Sequence, residues 1–250
     1  MNYLYDNTFE GFLCCIYAHY YDEKADGVFP VSTYQEDMLI SRCIIDTDEK
    51  KAGIVYEAIE NKISKYDIKR VYTVFCSSIP GKETMLLRYI SLGFHEGSKV
   101  GLLYGNPVVF NVLQIEKKVV SEIHRMCGLI RFSEMTRADA QNSRSILYAP
   151  MEPDHDITEF LAPHFCDRYK EDPFIIHDKR RNKALFAAAG EWYITDFSAG
   201  DVLMETDPET QYRKLWKEYF ETVAIKERTN PKCQRRFMPA RYWRNLTECC

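Results

Sequence analysis

The chain has no Gly-x-x-x-x-Gly-Lys-Ser/Thr phosphate loop, no Gly-x-Gly-x-x-Gly turn and no Gly-x-Ser-x-Gly elbow. Those absences argue against nucleotide-driven motors, Rossmann dehydrogenases and typical serine hydrolases. Its nine cysteines include no Cys-x-x-Cys pair. Cys14-Cys15 and Cys249-Cys250 are adjacent, a poor arrangement for one tetrahedral zinc. An odd, irregularly spaced set points to reduced thiols in a cytoplasmic protein, and no metal or cofactor is expected. The terminal cysteine pair lacks the four-residue layout of a prenylation signal. No apolar run approaches the ~20 residues of a bilayer span. The opening Met1-Asn-Tyr-Leu-Tyr-Asp6 has an early acid and no basic leader, so neither a signal peptide nor a membrane anchor is expected.

What is present is ample for a packed core: 46% apolar and 14% aromatic residues, with an ordinary 28% charged. Charge is unevenly placed. From Lys226 onward, seven cations (Lys226, Arg228, Lys232, Arg235, Arg236, Arg241, Arg244) face only Glu227 and Glu248, a net +5 on a chain whose formal total is −4. The rest therefore sums to −9. These arginines sit beside Phe237, Tyr242 and Trp243. A basic, ring-interleaved end on an acidic body suits a local polyanion contact. It equally suits a surface staple in which Phe237, Met238, Tyr242, Trp243 and Leu246 are core and the arginines pair with the body.

Periodicity predicts an α+β protein. Tyr3-Leu4-Tyr5 reads as a strand leading to a helix capped by Asp6, Asn7 or Thr8. Residues 22–37 read as loop, and 39–45 as a strand or short apolar segment. Thr47 or Asp48 caps a helix with Ala52, Val55, Tyr56, Ile59 and Ile63 on its apolar face. Helices follow over 68–76 and 83–92, the latter stopping at Gly93. A long one starts at Asn106-Pro107 and ends at Gly128. In the second half 129–132 and 145–149 read as strands, and Asp156 as the cap of a helix. The segments 174–176, 184–188 and 192–195 have the spacing of an antiparallel β-meander. A final helix places Tyr212, Leu215, Trp216, Tyr219, Phe220 and Val223 on one face. The expected division is a helical region over 1–110 and an α+β domain over 111–250 in which helices cover the sheet.

Three further clusters are candidates for chemistry. In His124-Arg125-Met126-Cys127-Gly128-Leu-Ile-Arg131-Phe132, either a basic helix end precedes a core strand, or Arg125 and Arg131 approach one phosphate and His124 acts as an acid or base. Pro150-Met-Glu152-Pro-Asp154-His155-Asp156 groups three carboxylates about a histidine. That suits a divalent metal or proton transfer through His155 and Glu152, or simply a polar loop capping a helix. His155 and His164 lack the i, i+4 spacing of a helical zinc pair. The turn Asp178-Lys-Arg-Arg-Asn-Lys183 carries four cations, either for a phosphate backbone or for water.

The motifs His124-Arg125-Met126…Gly128…Arg131-Phe132 and Phe237-Met238-Pro239-x-Arg241-Tyr242-Trp243-x-Asn245-Leu246-x-Glu248 resemble the bacterial "probable DNA metabolism protein" family, whose C-terminal part is catalogued as a domain of unknown function. Arg88-Tyr89-Ile-Ser-Leu-Gly93-Phe94 and the Tyr3-to-Phe12 opening fit it as well, so the resemblance spans nearly the whole chain. It implies the accessory half of a DNA repair or modification system that works beside a radical-SAM protein. A related version of the domain precedes a uracil-DNA glycosylase-like domain. On these grounds a nucleic-acid-binding role is expected, with Arg125, Arg131, Arg235, Arg236, Arg241 and Arg244 on phosphates and Tyr242 and Trp243 stacking or supporting the surface. An enzyme using His124 or the Glu152/Asp154/His155 cluster, and a protein-interaction scaffold, are the alternatives.

Overall fold

Tyr3, Leu4 and Tyr5 alternate across a short strand, β1 (Asn2–Tyr5), that is buried throughout. Thr8 then caps α1 (Phe9–Tyr21), its hydroxyl accepting from the Gly11 amide at 3.0 Å. These elements belong to a computed structural model that describes residues 1–35, 40–137, 145–198 and 203–248. Leu39, the end of the 22–37 segment, Cys249, Cys250 and the Lys226 side chain lie outside what is described. The fold is α+β, in two compact units, Met1–Val120 and Ser121–Cys250.

In the first unit β1 pairs in parallel with β2 (Gly27–Pro30) and β3 (Arg42–Ile44), giving the order β2-β1-β3. The loop expected over 22–37 therefore contains a strand. Its four residues begin with glycine and end with proline. Such a piece shows no alternation, and proline is tolerated because β2 lies at a sheet edge. Helices α2 (Glu49–Lys62), α3 (Lys65–Phe75) and α4 (Lys82–Glu96) follow, the first two capped by Asp48 and Ser64. On α2, Ala52, Val55 and Ile59 are buried, whereas Tyr56, expected beside them, is exposed. α4 does not stop at Gly93 but runs to Glu96 and ends on Gly97 at φ 65°. Gly93 serves packing instead: a Cβ there would lie 2.4 Å from Cδ1 of the buried Ile63. Buried Arg70 donates to Asp67 (2.5 Å), to the Tyr89 hydroxyl (2.7 Å) and to Glu116 (2.8 Å), so its charge is compensated on every side. The division between the units falls within α5 (Pro107–Leu129), which starts where expected and runs one residue past Gly128. Among the described residues no helix is long and apolar enough to cross a membrane.

The second unit is built on a six-stranded, mostly antiparallel sheet. Its strands are β4 (Ser133–Arg137), β5 (Ile146–Met151), β6 (Phe174–Asp178), β7 (Lys183–Ala188), β8 (Glu191–Asp196) and β9 (Leu203–Glu205), in the order β8-β7-β6-β5-β4-β9. The strand expected over 129–132 is absent. Leu129 closes α5, and the Ile130 amide continues the helical ladder onto the Met126 carbonyl at 3.1 Å. The meander β6-β7-β8 matches the spacing, and Ala189 and Gly190 turn β7 into β8 at φ 53° and 83°, the doubly positive geometry of a tight hairpin. β5 and β6 run parallel, joined through α6 (Thr158–Arg168), which packs on β7 and β8. Phe132, Phe165, Tyr169 and Phe174 form a ring cluster, with Phe132 centred 4.9 Å from Tyr169 and 5.3 Å from Phe165. Asp156 is not the cap of α6: Ile157 holds that position without a side-chain bond, and the Asp156 carboxylate pairs with Lys183. β9 is too short to leave a pattern. After it come α7 (Asp207–Val223), α8 (Pro231–Phe237) and a 3-10 turn, Ala240–Asn245.

Replacing Gly93 with alanine should destabilise the chain by about 1 kcal/mol, overpacking against Ile63 outweighing the helix-propensity gain. In an Ile63→Val background, which removes Cδ1, the same change should turn neutral or stabilising; urea titration of the four proteins measures it.

Candidate nucleic-acid interface

Glu122, on α5, is 2% exposed and is the centre of the second unit's polar chemistry. Its carboxylate accepts the amides of Asp154 (3.0 Å) and His155 (2.8 Å) and the hydroxyl of Tyr242. Arg241 lies 3.5 Å from it and 2.8 Å from Asp154. Burial acts to raise the Glu122 carboxyl, but the Tyr242 hydroxyl and the two amides hold it below the ordinary carboxylate range. The Tyr242 hydroxyl is pushed up by burial and by Glu122. His155 is depressed by burial, against the pull of Glu122 and Asp154. Tyr242 and Leu246 are thus core residues, while Phe237 is exposed and Trp243, half-buried, donates its indole N–H to the Met238 carbonyl at 2.9 Å.

The other candidates separate cleanly. The three carboxylates near His155 are dispersed onto different cations: Glu152 onto Arg244 (3.0 Å), Asp154 onto Arg241 and Arg180, and Asp156 onto Lys183. Among the described residues no three His, Cys, Asp or Glu side chains are placed to hold a metal. The 178–183 turn folds onto itself and the 153–154 loop. Arg181 bonds fully buried Asp178 at 2.8 Å and the Asp154 carbonyl at 2.7 Å. His124 is exposed and Arg125 half-buried on α5, and neither lines a cavity described below. Arg235 and Arg236 are exposed on α8, also outside those cavities.

Two adjoining cavities in this unit bring other residues together. A cleft of about 450 Å³ is walled by the rings of Phe132, Phe165, Tyr169, Tyr212 and Trp216, with Arg131, Arg168 and Arg213. A smaller cavity of about 150 Å³ shares Arg131 and Arg213 and adds Lys217 and Arg244, without a carboxylate in its wall. Each shared guanidinium is held in place. Arg131 donates to the Gly128 carbonyl and to Glu248, both at 2.9 Å. Arg213 meets Glu205 at 2.6 Å, Glu209 at 3.2 Å and the Ser133 hydroxyl at 2.6 Å. The second oxygen of Glu248 accepts the Trp216 indole N–H at 3.3 Å, so one carboxylate positions a cation and a ring together. Burial acts to raise the Glu248 carboxyl, but its bonds, including those from Arg131 and Trp216, hold it below the ordinary range. Among the described residues Arg168 and Lys217 have no ion pair.

Of the sequence-derived candidates, then, Arg131 and Arg244 share a cavity, while Arg241 and Tyr242 are held in the Glu122 network. Glu122, Arg168, Arg213 and Lys217 are not among those candidates, and Glu248 appears there only in the charge balance and the C-terminal motif. The signal for two of them was present in Tyr212-Arg-Lys-Leu-Trp-Lys217, which interleaves rings and cations as the tail does.

Residues 80–248 match the family model described as Domain of unknown function, DUF4130, and the chain belongs to that family. No curated protein and no solved structure matches it.

Glu122→Gln should cost about 3–5 kcal/mol in urea unfolding, because one amide oxygen cannot serve three buried donors. Stability should also fall on acidification in two stages. His155, lower in the folded state, lets the unfolded chain take up its proton first, so stability drops as pH falls below about 6.5. Glu122 and Glu248, likewise lowered, contribute stability above about 4.3 that is lost as pH falls through their folded values. Because burial lowers His19 and His177 as well, melting curves of His155→Gln should show a smaller upper stage and retain the lower one.

Proposed function

We propose that this chain is a nucleic-acid-binding accessory protein of a DNA repair or modification system, and that it binds through the paired cavities of its second unit. The observation that carries the reading is the wall of the smaller cavity. Arg131, Arg213, Lys217 and Arg244 converge there with no carboxylate among the lining residues, beside a cleft lined by rings. Guanidinium forks take phosphate oxygens two at a time, and rings take base faces. Arg131 and Arg244 keep the phosphate role expected from the motifs. Arg235 and Arg236 are exposed on α8 and available to a longer strand. Arg241 and Tyr242 support the surface from beneath. The "probable DNA metabolism protein" resemblance supplies the remaining context: a DNA substrate, and a radical-SAM partner that carries the chemistry.

Fluorescence anisotropy of a labelled oligonucleotide tests the reading. Affinity should fall with salt, with a log–log slope of about 0.7–0.9 for each phosphate neutralised, a modest total because three of the five lining cations are already paired. The double variant Lys217→Ala/Arg244→Ala, which leaves the Glu122 network intact, should weaken binding by about tenfold or more and flatten that slope. Binding that is absent at low salt, or indifferent to both substitutions, would overturn the proposal.

A further inference from the structure

α7 is amphipathic, yet among the described residues its apolar stripe lies largely exposed. Tyr212, Trp216 and Tyr219 recur at i, i+4 and i+7 and are 67%, 42% and 59% exposed; Leu215, Phe220 and Val223 beside them are exposed too. A stripe of this kind ordinarily faces a core. Here its first two rings form a wall of the 450 Å³ cleft. The flank of the same helix supplies Arg213 and Lys217 to the adjoining basic cavity; Glu218 and Glu221 line neither cavity, and Glu209, which does line the cleft, is paired with Arg213. Rings and cations therefore lie side by side along one element, opposite Arg131, Arg168 and Arg244.

We infer that α7 is a stacking platform, and that the ligand is single-stranded nucleic acid whose bases lie on Tyr212, Trp216 and Tyr219 while its phosphates run along the cation flank. The inference rests on the reading of the cavities given above and narrows it. Three features select a single strand. A duplex buries its base faces against one another and presents only edges, so rings on a helix surface find no π-face to meet. The rings advance about 6 Å and then about 4.5 Å along the helix axis. Both steps exceed the roughly 3.4 Å between stacked bases of one strand, so bases seated on successive rings must already be parted. Finally, Trp216 is fixed rather than free, through its bond to Glu248 and its 5.8 Å approach to Tyr219, which limits the ordering needed on binding.

The test compares, on the full chain in about 50 mM salt, a labelled single strand, the same strand with abasic sites, and its duplex. The probes are the wild type, Tyr212→Ala and Tyr219→Ala, both changes being at exposed positions. The single strand should bind at least about tenfold more tightly than the duplex, and each variant should lose about 5- to 150-fold on the single strand while duplex affinity stays within about twofold. The abasic strand should bind as weakly as the variants do. Equal affinity for duplex and single strand, or full affinity for the abasic strand, would overturn the inference while leaving nucleic-acid binding standing. If neither form binds at low salt, the functional reading itself fails. Should Tyr219→Ala convert a sedimenting dimer to monomer with DNA affinity unchanged, the stripe belongs to a second copy of this chain, which also overturns the inference.

Discussion

One buried carboxylate organises the second unit. A charge at Glu122's depth survives only with several hydrogen-bond donors turned toward it, and they come from far along the chain: two amides of the 153–156 loop and the hydroxyl of Tyr242, 120 residues away. Satisfying that carboxylate seats the 240–245 turn against β5. It thereby puts Leu246 in the core and brings Glu248 within reach of Arg131 and Trp216. The cleft has two of its walls aligned because a carboxylate that does not line it demanded these partners.

That arrangement sorts the arginines into two kinds. Arg241 pairs with a 3%-exposed carboxylate, and withdrawing it would leave a buried charge short of a donor. Arg244 pairs with Glu152 while its own side chain is 67% exposed, and exposed pairs are worth only about 0–1 kcal/mol. At Arg244 a phosphate would meet an exposed ion pair; at Arg241 it would compete with the fold. Proximity in the motif Arg241-Tyr-Trp-Arg244 conceals this difference: the two arginines, three apart on a 3-10 turn, share a face but meet carboxylates of very different burial.

Elements with a clear apolar period were legible from residues alone: α1, α2, α5 and the β6-β7-β8 meander, although Tyr56 of α2 and most of β8 lie exposed. What escaped had no period to show. β2 and β9 have four and three residues, and the ladder bonds that make them strands come from partners elsewhere in the chain. Gly93 read as a helix stop because glycine favours that position, when close approach to Ile63 was the reason for it. Asp156 read as a cap because aspartate before a helix usually is one, but Lys183 of β7 claims it. At the site, the tail's charge pattern does not separate Arg241, which anchors, from the more exposed Arg244. The rings of α7 read as a core face because periodicity reports amphipathicity and is silent on whether anything covers the apolar side.

The electrostatics of the cleft bear on how tightly it can hold a polyanion. Five cations line the two cavities, and Glu248, Glu205, Glu209 and Glu152 already answer three of them. The surplus is therefore small, and few counterions would be displaced by phosphates entering it. A site of this kind draws little affinity from charge alone, and the remainder has to come from apolar contact. The rings along α7 are the surface positioned to provide it, at about 1–3 kcal/mol for each base stacked. In the reading proposed above, charge would set where a strand lies, and ring contact how long it stays.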